Sequence, residues 1–148
     1  MKRQRPPSRP AAVTTSFGTF EIEDDALIEF PEGLPGFERC TRYVLISSDE
    51  IAPLRCIQAV DPPRPSFLVL DPSAVIPGYR QPLGRADLAR LGGGDDADLL
   101  WFAIVTVGGA KASINLRAPL VINYRRMVGC QLLPLRSRYR VDHPLALG

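Results

Sequence analysis

Few residues in this 148-residue chain have the type and spacing to do chemistry. There is one histidine, His143, followed by Pro144. One histidine cannot furnish a two-histidine metal site, and as a general base it would need a nucleophile brought to it by the fold. Packing or hydrogen bonding is its expected role. Cys40, Cys56 and Cys130 are widely spaced and odd in number, with no Cys-x-x-Cys. They read as reduced, buried thiols of a cytosolic protein. Asp95-Asp96-Ala97-Asp98 gathers carboxylates but lacks the alternating spacing and distant glutamate of a calcium loop, so it reads as a charged turn. Gly92-Gly93-Gly94 is followed by no Lys-Ser or Lys-Thr and is no phosphate loop. A Gly-x-Ser-x-Gly elbow is absent. The residues give no ground for a cofactor or metal, and an enzyme is disfavoured. Asn115 and Asn123 bracket an apolar strand and a proline; they either bind backbone at strand ends or offer polar contacts to a partner.

The most shaped stretch is Phe30-Pro31-Glu32-Gly33-Leu34-Pro35-Gly36-Phe37-Glu38. Proline fixes φ and removes a donor, while glycine reaches φ > 0, so neither helix nor regular strand passes through it. Two successive turns are expected, with Leu34 and Phe37 as apolar plugs. One reading is a structural corner sealing a barrel end; the other is a rigid recognition loop.

The elements around it are short. Phe17–Ile22 alternates with period two, and Ala26–Phe30 is a second strand, so a hairpin is expected between them. Arg42–Ser47, Leu54–Val60 and Ser66–Asp71 follow, separated by Ser48-Asp49-Glu50 and by the proline-rich stop Asp61–Pro65. Residues 85–91 are the clear helix candidate, with Leu88 and Leu91 on one face and Gly92 as a cap. At two turns it must dock on a sheet to persist. Leu99–Val107, the most hydrophobic run and nine residues without a break, suits a central strand buried on both faces. Ala112–Leu116, Leu120–Tyr124 and Val128–Leu133 complete the set. The class is all-β: a small, mostly antiparallel, barrel-like domain of about nine or ten short strands with one short helix.

Length allows one domain with its own core. Fifteen prolines favour turns and short strands over long helices. Residues 1–16 carry four basic groups, three prolines and no acid, and are expected to be a disordered tail; the folded domain is expected over 17–148. The formal net charge of +2 hides an asymmetry: residues 17–110 carry a net −8 and residues 111–148 a net +6. Segregated in space, these would give two electrostatic faces. No stretch approaches the ~20 apolar residues of a membrane helix.

The loop Phe30–Glu38 resembles the signature of the FliW family of bacterial flagellar assembly factors. Phe17-Gly-x-x-Glu21, Gln58-Ala-Val-Asp-Pro62, Ser66–Pro72, Ala103–Val107, Ile114–Asn123, Gly129-x-Gln131 and Tyr139…His143-Pro-Leu145 resemble family motifs in order. The resemblance spans residues 17–145. It implies a cytoplasmic, monomeric β-barrel-like protein that acts by binding. Its implied partners are flagellin and CsrA, a dimeric RNA-binding repressor of flagellin translation. Binding CsrA away from its RNA surface would release the flagellin message, and free flagellin would compete. The chain departs from the family in its basic pI of about 8.6 and its basic proline-rich tail. The partner surface is expected at Phe30, Pro31, Glu32, Gly33, Leu34, Pro35, Gly36 and Phe37, together with Asn115, Leu116, Pro119 and Asn123. The alternative is a nucleic-acid-binding β-barrel using the tail and the basic C-terminal third, although its few aromatics are not interleaved with basic residues. An enzyme with a pocket at the barrel mouth ranks third.

Overall fold

The computed structural model describes residues 11–15, 18–22, 26–93 and 98–146. In chain order the elements are β1 (Ala11–Thr15), β2 (Gly18–Ile22), β3 (Ile28–Glu29), β4 (Arg42–Ser47), β5 (Arg55–Ala59), β6 (Ser66–Leu70), α1 (Arg85–Arg90), β7 (Leu99–Gly108), β8 (Lys111–Ile114), β9 (Leu120–Asn123), β10 (Val128–Gln131) and β11 (His143–Pro144). A short 3₁₀ turn, Pro72–Ala74, follows β6; Asp71 caps it by accepting from the Ser73 amide at 2.9 Å.

Seven of these strands close a ring of pairings. β3 to β7 follow one another except that α1 intervenes before β7; β7 pairs with β9, β9 with β10, and β10 returns to β3. All pairings are antiparallel except the closing one, where Val128 lies beside Glu29 in parallel. Closure removes most of the open edge that a flat sheet would leave, apart from one edge of β7 beyond the end of β6. β8 and β11 extend outward from the far half of β7. The expected barrel-like, mostly antiparallel β fold with one short helix is therefore the observed one.

β7 is the hub because its residues are apolar on both faces. Phe102 and Ile104 pack into the ring interior with Ile28, Phe30, Tyr43 and Ile57. Ala103 and Val105 turn the other way, into a cluster with Leu70, Tyr79, Ile114 and Leu116. This is the period-two alternation of a strand with a core on each side. Its ends differ from expectation: Leu100 is exposed and so are Thr106–Gly108, because no layer covers them. The helix begins where predicted and docks through Leu91, which is fully buried with Leu99, Val121, Cys130 and Leu132. Gly92 and Gly93 end it with positive φ, and the Gly93 amide donates to Leu88 O at 2.8 Å. All three cysteines are buried and free, as their spacing suggested.

Two expectations at the N-terminus are corrected. β2 does not form a hairpin with β3; it pairs in full register with β1, from Ala11 opposite Ile22 to Thr15 opposite Gly18, in a separate two-stranded sheet. β1 thus lies within residues 1–16, the stretch expected to be a disordered tail. The strand at Ala11–Thr15 was missed because proline-rich basic sequence precedes it directly. Residues 1–10 of the expected tail lie outside the described residues.

Candidate protein-binding surface

The Phe30–Glu38 loop is built from consecutive turns. The Gly33 amide donates to Phe30 O at 2.8 Å, Phe37 to Leu34 O at 2.7 Å, and Cys40 to Phe37 O at 3.0 Å. Gly33 has φ +63, and a Cβ there would lie 2.6 Å from Glu38 Cα and from Phe37 O. Only glycine allows both the left-handed backbone and that approach. Phe30 enters the ring and meets Tyr43 edge-on at 5.2 Å between centroids. Leu34 is 1% exposed and belongs to the same core. Phe37, half-buried, meets Phe67 edge-on at 5.8 Å. Pro31, Glu32, Pro35 and Gly36 face solvent. Glu32 reaches across to α1 and pairs with Arg90 at 2.7 Å.

The second expected segment is also partly internal. Leu116 is fully buried, and its carbonyl accepts from Tyr79 Oη and from Gln81 Nε2, the latter at 3.0 Å. Burial drives the Tyr79 phenol up to about 12. Asn115 Oδ1 accepts from the amides of Arg117 at 3.2 Å and Ala118 at 3.0 Å, holding the bend between β8 and β9. Asn123 is 2% exposed and uses both ends of its amide. Its Nδ2 donates to Leu91 O at 2.8 Å and Gly93 O at 2.9 Å; its Oδ1 accepts from the amides of Arg125 at 3.1 Å and Arg126 at 3.2 Å. Both asparagines therefore serve backbone at strand ends. Pro119 is buried and its carbonyl accepts from Leu132.

The expected site thus divides. Phe30, Gly33, Leu116, Pro119 and Asn123 are closed inside the fold, and Leu34, 1% exposed, contributes only to a cavity wall. Of the accessible remainder, Pro35 and Asn115 come together at one cavity, whereas Pro31, Glu32, Gly36 and Phe37 do not line it. A cavity of about 400 Å³ is lined by Leu34, Pro35, Asn115, Arg117 and Ala118. Phe67 and Ile104 add apolar wall, and the outer rim is Leu133, Pro134 and Val141. Leu133 is 66% and Val141 57% exposed, unusual for such side chains. Gln131 Nε2 donates to Ala118 O at 3.0 Å, while its buried Oε1 has no partner among the described residues. The rim segment after β10 escaped sequence reasoning. Its one signal was Leu133-Pro134-Leu135, two large apolar residues around a proline in an otherwise basic stretch.

The other candidates have simpler placements. His143 is half-buried on β11 opposite Ile114. Residues 94–97, which hold most of the acidic run, lie outside the described residues; Asp98 pairs with Arg125 at 3.4 Å. Among the described residues, no cluster of histidine, cysteine or carboxylate could hold a metal ion, and no helix is long and apolar enough to cross a membrane.

The chain folds as a closed ring of β-strands with a largely apolar groove at its side. The family model of the FliW protein matches residues 11–145. The flagellar assembly factor FliW of Thermotoga neapolitana is 33% identical over 136 residues, covering 90% of this chain and 91% of that one. That of Syntrophomonas wolfei is 33% identical over 135 residues, covering 90% and 86%. The crystal structure of a flagellar assembly factor FliW superimposes with a TM-score of 0.84 at 27% identity, covering 90% of this chain and 96% of that chain. The chain belongs to the FliW family.

Proposed function

We propose that this chain is a flagellar assembly factor that works by binding proteins and not by catalysis, as a monomer in the cytosol. Its partners are flagellin and the translational regulator CsrA. Bound to CsrA away from the RNA-contacting surface, it lowers the affinity of CsrA for the flagellin message and relieves repression. Because coupling between two binding sites is reciprocal, RNA in turn weakens its hold on CsrA. Free flagellin competes by mass action and restores repression.

Family membership supports the assembly-factor reading. The observation that supports the binding surface is the groove that unites Pro35 with Asn115 and Arg117, with Leu133 and Val141 exposed at its rim. Exposed apolar side chains gathered at a concave surface mark protein-interaction sites. The test is titration of the purified protein with its cognate flagellin and CsrA, with and without the flagellin leader RNA. Binding of either protein supports the reading; retention of RNA alone would replace it with the nucleic-acid barrel.

A further inference from the structure

β6 ends before β7 does. Their register runs Leu68 opposite Val105, Val69 opposite Ile104 and Leu70 opposite Ala103, and there β6 stops. β7 continues for four more residues, Leu99–Phe102, paired with β9 on its other edge. The edge that β6 vacates has no strand against it among the described residues. Backbone groups alternate sides along a strand. Ile104 O faces β8, accepting from the Asn115 amide at 2.9 Å. By the same alternation Leu99 and Trp101 turn their N–H and C=O toward the vacated edge.

A cavity of about 400 Å³ occupies that position, reaching from Arg55 on β5 to β7 and roofed by Asp71–Ser73 and Gly78–Arg80. Two arginines flank it. The Arg55 guanidinium lies 5.8 Å from the Phe102 ring centroid, and the Arg80 guanidinium 5.9 Å from that of Trp101. Phe102 belongs to the inner face of β7 and Trp101 to the outer face. One arginine therefore stands on each side of the missing strand. Neither has a carboxylate partner among the described residues.

We propose that this slot takes an extended peptide segment of a partner protein, added as a strand to the Leu99–Phe102 edge and carrying two adjacent acidic residues. Main-chain pairing supplies binding, and alternate side chains supply selectivity. Successive side chains of an added strand point to opposite faces, so neighbouring carboxylates meet Arg80 outside and Arg55 inside. Arginine already stacked on an aromatic ring is held ready for a carboxylate. The N-terminal residues of this chain are excluded as occupant by charge, since Lys2, Arg3, Arg5 and Arg9 would face two arginines. The slot shares no residue with the groove at Pro35. Its test uses neither flagellin nor CsrA, so the two proposals stand or fall separately.

Trp101 is the sole tryptophan and reports on the slot directly. The probe is a capped hexapeptide with two central glutamates flanked by valines, titrated to millimolar concentration. A saturable change in tryptophan emission is expected. Replacing both glutamates by glutamine, or making Arg55→Gln or Arg80→Gln in the protein, should weaken it by about tenfold or more, with the fold checked by circular dichroism. N-methylation of the peptide backbone should abolish binding without altering the protein at all. No emission change, or equal binding of the N-methylated peptide, would overturn the proposal. So would a dimer in sedimentation that Arg55→Gln dissociates, because the slot would then belong to a second copy.

Discussion

The ring of Phe30 rests on the backbone of Gly129. A Cβ on Gly129 would lie 2.6 Å from Phe30 Cζ, 2.7 Å from Cε1 and 3.2 Å from Ile122 Cγ1. Phe30 opens the proline-glycine loop, and Gly129 sits in β10, where the ring closes against β3. The contact therefore locks the loop to the closing seam. Gly129→Ala should cost about 1–3 kcal/mol, the range for overpacking a filled core. Phe30→Leu in the same chain should recover part of that loss, because it removes the clashing ring edge. Denaturant midpoints of the two single variants and the double variant measure this; strict additivity would mean that the two residues do not touch.

Within the same loop, stability and recognition separate by residue. Leu34→Ala empties a fully buried position and should destabilise by about 2–5 kcal/mol. Pro35→Ala lies at the exposed edge of the groove and should change the unfolding midpoint little while weakening partner binding. A Leu34→Ala protein with wild-type stability would show that the loop does not plug the ring.

Asn123 ties the end of α1 to the β9–β10 turn through four hydrogen bonds. Asn123→Ala leaves the buried Leu91 carbonyl and three part-buried backbone groups without this partner and should cost about 1–3 kcal/mol. Hydrogen exchange should rise at the amides of Arg125 and Arg126, whose acceptor is lost, and at Gly93, where the helix end loosens. Faster exchange confined to β1 and β2 would contradict this.

Alkaline pH should destabilise the fold in a definite window. Burial raises the Cys130 thiol to about 11 from 9.0 and the Tyr43 and Tyr79 phenols to about 12 from 10.0. For each group the unfolded chain loses its proton first, so the native state binds more protons in between. Stability is fully present below about pH 9 and falls as pH rises toward about 12. Urea midpoints across that range should decline steadily. On the acid side the sign reverses for Asp61: its hydrogen bonds and ion pair with Arg42 hold its carboxyl below the ordinary range. Its stabilisation is lost as pH falls through that depressed value.

Local chemistry was legible in the sequence and long-range pairing was not. The helix at Arg85, the strand at Leu99 and the turns around Gly33 and Gly36 follow from apolar spacing and from the conformations proline and glycine allow. The β7–β9 and β3–β10 pairings that close the ring join residues far apart in the chain, and no local pattern specifies them. β2 alternates as a strand should, but its partner lay before it in a stretch whose prolines and charges hid it. Of the residues expected at a partner surface, Pro35 and Asn115 line the groove. Phe30, Leu34 and Leu116 were named with them because apolar residues in rigid loops look alike whether they face a partner or the core. Only burial distinguishes them.

The most direct test of the proposed function is calorimetric titration of flagellin and of CsrA into the wild-type protein and into the Leu133→Asp, Val141→Asp double variant. Both positions are exposed, so the variant should fold normally while a charge on each side of the groove blocks an apolar side chain from entering. The expected result is binding of both partners by the wild type and a loss of at least about tenfold in the variant, about 1.4 kcal/mol. Undiminished binding of both partners by a folded variant would contradict the groove as their surface, and no binding by the wild type would contradict the function itself.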